Sequence, residues 1–311
     1  MIPILYHPGY NLTAFGLEGL HPFDGRKYHR IHRALIERGL RRRDDFVRPG
    51  RLSQSELARV HTRPYLRSLR RSSELCRILE LPSLRRLPAW VLDWRVLRPM
   101  RLATSGTIAA CRMALRSGVA INLGGGYHHA SASFGGGFCC YADVPLAIER
   151  LHAEGLIQSA LVIDLDAHQG NGTADAIGGW PWANIADLYE RDLFPFPKAP
   201  ETYEWPVGPG LTGKEYLDIV HEALPPIVDH LKPDLLVYNA GSDPFVGDPL
   251  ARFRLSREDL AERDLAVISL ARERKIPIAM VLSGGYSTES WRIHTDSIEG
   301  ILTRFDRECR S

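Results

Sequence analysis

Asp164, Asp166 and His168 stand at two-residue spacing where the apolar run Ala160-Leu161-Val162-Ile163 ends. In an extended chain alternate side chains share a face, so the three are expected to project together while Leu165 and Ala167 pack the other way. Acids and an imidazole aimed at one point suit a divalent cation. Asp243, which closes Asn239-Ala240-Gly241-Ser242-Asp243 after the run Leu235-Leu236-Val237-Tyr238, offers a third ligand beside Asp166 and His168. Three protein ligands with one open position describe a catalytic zinc site. Gly124-Gly125-Gly126-Tyr127-His128-His129 places two adjacent imidazoles on a glycine loop, and Ser283-Gly284-Gly285-Tyr286 adds a phenol able to donate to a carbonyl oxygen. Taken singly, Asp166 is explained as well by a strand-end cap and Asp243 by a turn. Only their conjunction points to a catalytic metal site.

These residues need elements to bring them together. Five short apolar runs, Val119 to Leu123, Ala160 to Leu165, Asn184 to Leu188, Asp234 to Tyr238 and Ile276 to Leu282, read as strands. Between and around them Thr104 to Ser117, Val144 to Glu154, Gly213 to Leu231 and Ser256 to Arg274 carry helical spacing, the last opening on a Ser256-x-x-Asp259 cap. Alternating strands and helices imply an α/β fold, a single domain over residues 1–311 with an open, mostly parallel sheet covered by helices on both faces. Such sheets bind ligands at the carboxyl ends of their strands, where the chemically loaded residues fall. The Pro-rich stretch from Pro195 to Pro209 reads as a surface loop.

Composition narrows the class. A chain of 311 residues with 44% hydrophobic content can bury a full core, and a net charge of +2 gives no electrostatic case for nucleic acid as a partner. Only Lys27, Lys198, Lys214, Lys232 and Lys275 among 39 basic residues are lysine, a bias that reads as a GC-rich bacterial genome. The Arg-dense segment from Arg67 to Arg101 reads as a solvated helical face. Five cysteines without a CxxC pattern fit a reducing cytoplasm, and no apolar run approaches the ~18 residues of a membrane span. Oligomeric state is not legible.

In order, these segments resemble the histone deacetylase superfamily, and the wording of GlyGlyGlyTyrHisHis, AspLeuAspAlaHisGlnGlyAsnGly, TyrAsnAlaGlySerAsp and SerGlyGlyTyr is most similar to its class IV branch. The resemblance runs from Tyr10-Asn11 and Leu20-His21-Pro22-Phe23-Asp24, through Val96-Leu97-Arg98-Pro99, to Asp296-Ser297-Ile298. It implies the arginase/deacetylase-like fold, with Asp166, His168 and Asp243 as ligands of Zn²⁺, or of Fe²⁺ or Mn²⁺. It further implies His128 and His129 as paired imidazoles beside the attacked carbonyl, and Tyr286 as the phenol that polarises it. Asp164 would orient His128 and, with Asp187, hold a buried K⁺ or Na⁺. Gly137 and Phe138, with Phe194 opposite, would line a narrow channel for an acyl-lysine arm.

The expected activity is hydrolysis of acetyl or longer fatty acyl groups from lysine side chains or related amines, with polyamine-like small substrates as an alternative. Two carboxylates and one imidazole leave bound Zn²⁺ without net charge, so its water is expected to be less acidic than the ~7 of three-histidine sites and to need a protein base. His129 is expected to supply it, with His128 as an electrostatic neighbour. Many relatives place an acid behind the second histidine; Asn171 stands here, which is expected to leave His129 a weaker base. An arginase-like site with two Mn²⁺ ions needs Asp-x-His-x-Asp, but Gly170 and Gly241 occupy the positions where the extra carboxylates belong. A non-catalytic binder of acylated amines would have no need of a poised base. Tyr127, Phe134, Trp90 and Trp94 are aromatic candidates for the rim, with core packing the expected use of the tryptophans.

Overall fold

The computed structural model describes residues 1–12 and 22–306. Leu20 and His21 of the N-terminal match lie outside them. Eight strands form one sheet: β1 (Ile4–Leu5), β2 (Phe46–Val47), β3 (Val119–Asn122), β4 (Ala160–Asp164), β5 (Ala183–Glu190), β6 (Tyr203–Val207), β7 (Leu235–Asn239) and β8 (Ile278–Val281). They lie in the order β2-β1-β3-β8-β7-β4-β5-β6, and every pairing is parallel.

A parallel sheet needs both faces covered, because every strand needs a crossover that packs on one side or the other. The sequence meets this with strands that are apolar at consecutive positions. In β4, Ala160 and Val162 join one core cluster, while Leu161 and Ile163 join another. In β7, Leu235 and Val237 face the first, Leu236 and Tyr238 the second. The first cluster is closed by helices α6 (Arg98–Ser117), α7 (Asp143–Ala153) and α8 (Asn171–Ile177); the second by α1 (Lys27–Glu37), α9 (Gly213–Leu231), α10 (Arg257–Glu273) and α11 (Ser290–Phe305). Short helices α2 (Gln54–Leu57), α3 (Arg63–Ser68), α4 (Ser72–Leu79) and α5 (Ala89–Leu92) precede α6 in the chain.

The Ser256 cap holds as expected: its hydroxyl accepts from Asp259 N at 3.0 Å, and Asp259 Oδ2 accepts from Ser256 N at 2.7 Å. Three expectations are corrected. The stretch from Pro195 to Pro209 contains β6, an edge strand; Pro206 is tolerated because an edge leaves one side of its ladder unpaired. Trp90 and Trp94 are not core residues but 70% and 47% exposed, since the short helix and wider turn that carry them bury Val91, Leu92, Val96 and Leu97 instead. The strand expected through Leu165 ends at Asp164, and the chain bends over 166–168. Most arginines between Arg67 and Arg101 face solvent as expected.

Candidate active site

Four adjacent central strands, β3, β8, β7 and β4, deliver the loaded residues from their carboxyl ends. The bend after β4 is built by its own acids: Asp164 Oδ1 accepts from Asp166 N at 3.2 Å, and Asp166 Oδ1 from His168 N at 3.0 Å. Each side chain thus folds the next residue back, so convergence survives without the extended geometry. Asp166, His168 and Asp243 bring one donor atom each within 4.8 Å of one another, all buried. His168 Nδ1 lies 2.9 Å from Asp243 Oδ2 and 3.2 Å from Asp166 Oδ1.

Two buried carboxylates this close need a cation between them. Burial and the charge of Asp166 push Asp243 up to about 7. Burial opposes a charge on His168, but its bonds to Asp166 and Asp243 outweigh this and raise it to about 10, so an imidazolium supplies the missing positive charge. The donor set, oxygen-rich with one ring nitrogen, fits a divalent ion. Further bonds fix the acids: Gly284 N and Ser283 Oγ donate to Asp166 Oδ2 at 3.0 and 2.9 Å, and Ala167 N to Asp243 Oδ1 at 2.9 Å.

The two neighbouring imidazoles have opposite partners. His128 Nδ1 meets Asp164 Oδ2 at 3.0 Å, and although burial disfavours its charge, Asp164 and Asp166 raise it to about 9. His129 Nδ1 meets the amide oxygen of Asn171 at 2.7 Å; burial, then the charges of His128 and His168, hold it well below the usual histidine range. An amide oxygen only accepts, so Nδ1 of His129 carries the proton and Nε2 keeps its lone pair.

Gly137 and Phe138 border an apolar cavity of about 80 Å³, partly open to solvent, together with His128 and Tyr286. Tyr127 also lines it, whereas Phe134 does not. Gly137 adopts φ +47°, and a Cβ there would fall 2.2 Å from His129 Cδ2, so only glycine lets the backbone lie against that ring. Phe194, 42% exposed, stacks edge-on to His129 at 4.9 Å between ring centroids. Its ring also lies against the glycine loop, where a Cβ on Gly136 would fall 3.8 Å from Phe194 Cζ.

Asp164 and Asp187 are register partners on β4 and β5, both fully buried. The sequence reading missed Glu201 beside them, and it also missed three residues that hold the loops. The Lys27 ammonium, lowered by burial to about 8 against the pull of Asp166 and Asp243, donates to Ser283 O and Gly284 O at 2.6 and 3.0 Å. Asp248 accepts from Tyr286 N and Ser287 N at 2.7 and 3.1 Å. Asp143 accepts from Gly126 N and Tyr127 N, both at 2.8 Å. A lysine kept in so Arg-rich a chain was the one available signal for Lys27; the acids gave none.

A cation-demanding trio at the mouth of a parallel sheet, with one charged and one neutral imidazole beside it, has the chemistry of a metal-dependent amidohydrolase. Comparison with known proteins agrees. A model of the histone deacetylase domain matches residues 21–299. Histone deacetylase 2 of Arabidopsis thaliana is 38% identical over 303 residues, covering 96% of this chain and 78% of that protein. An uncharacterized protein of Picosynechococcus sp. is 31% identical, covering 92% of each chain. The HD domain of HDA15 superposes with a TM-score of 0.78 over 97% of this chain and 87% of its own, a likeness of fold at 20% identity. The chain belongs to the histone deacetylase family.

Proposed function

We propose that the protein hydrolyses acyl groups from lysine side chains or related amines, with Asp166, His168 and Asp243 holding a Zn²⁺ ion, or Fe²⁺ or Mn²⁺ in its place. The ion would acidify a water and polarise the amide carbonyl. His129 takes the proton from the attacking water at Nε2, which its bond to Asn171 leaves free, and returns it to the departing amine. His128 stays charged against Asp164 and stabilises negative charge beside it. The Tyr286 phenol donates to the oxygen that becomes anionic as the carbon turns tetrahedral, and Lys27 and Asp248 hold its loop from the carbonyl and the amide sides.

The observation that carries this reading is the Asp166–His168–Asp243 trio beside a histidine kept neutral. A fluorogenic acyl-lysine peptide tests it: hydrolysis is expected from the zinc-loaded protein and not from His129→Ala. Binding without turnover in both would instead make the chain a binder.

The apolar cavity supports acyl groups longer than acetyl. Its walls beyond Tyr286 include Leu12, Leu79, Leu81, Leu84, Val96 and Met100. Each methylene moved from water onto such walls contributes about 0.8 kcal/mol. A series of acyl-lysine peptides compared by kcat/KM is expected to rise with chain length; a maximum at acetyl would refute the longer-chain reading. Asp164 and Asp187 are proposed to hold a second, non-catalytic cation, for which the resemblance implies K⁺ or Na⁺. A cytoplasmic place is supported by Cys76, Cys111, Cys139 and Cys140 being free thiols. No helix among the described residues is long and apolar enough to cross a membrane.

A further inference from the structure

We infer that the loops around the mouth of the site form a docking surface for an anionic lipid bilayer, with Trp90, Trp94 and Phe196 entering the headgroup layer and Arg63, Arg67 and Arg70 meeting lipid phosphates. The inference does not depend on which acyl group the active site removes, because it concerns the outer side of the segment that walls the cavity.

Large apolar side chains exposed on a folded protein are ordinarily scattered singly. Here they gather at one end of the sheet. Asn122, the last residue of β3, donates from Nδ2 to Ala103 O at 3.0 Å, so α6 starts at the carboxyl end of the strands and the residues just before it lie there too. Trp90 and Trp94 stand exposed on that segment; Phe194 and Phe196 follow β5, and Val246 follows β7. These are five of the seven large apolar side chains exposed among the described residues; Met1 and Leu156 precede β1 and β4 and so stand at the opposite end.

Charge selects the occupant. Residues 63–101 carry ten arginines against Glu74, Glu80 and Asp93, a net charge of +7 in a chain whose total is +2. Glu74 and Asp93 are taken by Arg77 and Arg101 at 2.7 Å each, whereas among the described residues no acid reaches ion-pair distance of Arg63, Arg67 or Arg70. Arg63 and Arg67 are one helical turn apart on α3, and Arg70 shares with Trp90 a surface hollow of about 430 Å³. Cation and ring are paired twice more: the Arg95 guanidinium lies 4.0 Å from the Trp94 ring centroid, and the Lys198 ammonium 5.2 Å from that of Phe196. Such pairs suit a membrane interface, where the ring sits at headgroup depth while the cation reaches a phosphate. An acidic polypeptide would satisfy the arginines but leave the rings in water.

The surface is continuous with the site. Arg77 donates to Gly135 O at 3.0 Å, and Phe194 lies against Gly136, so α4 and the loop carrying Phe194 and Phe196 adjoin across the glycine loop. The inner side chains of the arginine-rich segment, Leu81, Leu84, Val96 and Met100, line the apolar cavity. Docking through its outer side chains therefore turns the mouth toward the bilayer.

The test is co-sedimentation of the full chain with vesicles of phosphatidylcholine alone or with phosphatidylglycerol added, read without turnover. Binding is expected only to the anionic vesicles, weakened by added salt, with tryptophan emission quenched by brominated acyl chains. An arginine beside such a surface raises partitioning about fivefold, so the double variant Arg67→Glu, Arg70→Glu is expected to lower it by at least roughly tenfold. The double variant Trp90→Ser, Trp94→Ser is expected to lower it by roughly tenfold and to remove most of the quenching, with far-UV circular dichroism unchanged. The inference is overturned if anionic vesicles leave the protein in the supernatant or if either variant binds like the native chain. It is equally overturned if the tryptophans stay unquenched while DNA or polyglutamate displaces the vesicles, which would make the partner an acidic macromolecule. Should a variant fail to fold, quenching in the native chain decides alone.

Discussion

Nδ1 of His129 donates to the side-chain oxygen of Asn171 at 2.7 Å, whereas its neighbour His128 is paired with a carboxylate. One residue type thus appears in two protonation states side by side, and the difference lies in what stands behind each ring. A neutral partner cannot offset the burial that holds His129 low.

The first prediction follows from that pair. The proposed base must be neutral to act, so kcat/KM should fall as pH drops through the His129 pKa. Asn171→Asp puts a negative charge behind Nδ1, raises that pKa and moves the acidic limb of the profile to higher pH. A limb that stays in place would argue against His129 as the base.

Tyr286→Phe keeps the ring that packs against Phe23 and Phe138 and removes only the donor. Loss of a single oxyanion donor costs about 3 to 4 kcal/mol in comparable sites, so kcat should fall roughly 10²- to 10³-fold. Metal content measured by elemental analysis should not change. A variant that kept its turnover would remove the phenol from the mechanism.

Gly137→Ala asks for a Cβ 2.2 Å from His129 Cδ2 and for an alanine at φ +47°. Either the ring or the loop must shift, and a misplacement on the order of 1 Å can cost about 10²-fold in rate. We expect kcat/KM to drop by at least roughly tenfold with metal binding preserved. Native-like kinetics would show that the loop does not press on the base.

His61 gives the protein an acid-sensitive point away from the chemistry. It is buried, its Nε2 accepts from Ala142 N at 3.1 Å, and burial lowers its pKa to about 4 from an ordinary 6.5. Because the folded value is depressed, the unfolded chain takes up a proton first. The stabilisation from keeping His61 neutral is therefore complete above pH ~6.5 and is lost as pH falls toward ~4, on the order of a few kcal/mol at most. Urea unfolding across that window should show the decline, and His61→Gln, which titrates nowhere in it, should flatten it. An equal slope in both proteins would assign the acid sensitivity elsewhere.

Several parts of this arrangement were legible in the chain alone. The five central and flanking apolar runs became β3, β4, β5, β7 and β8 because strands buried on both faces carry hydrophobic residues at consecutive positions. Strands β1, β2 and β6 were not legible: two are only two residues long, and the third is an edge with alternating exposure in a proline-rich setting. The tryptophans misled because residue type argues for burial, while Trp90 and Trp94 fall on the outer side of the turns that carry them.

What the sequence determined by itself was the inventory of chemistry: which acids, imidazoles and phenol stand at strand ends, since the order of residue types along one strand end is local information. Only the tertiary structure decided which of them meet. Lys27 and Ser283 are 256 residues apart, and Asp166 and Ser283 117. Such contacts depend on the order of strands in the sheet and on how burial sets each charge, and neither is written in the spacing of residues along the chain.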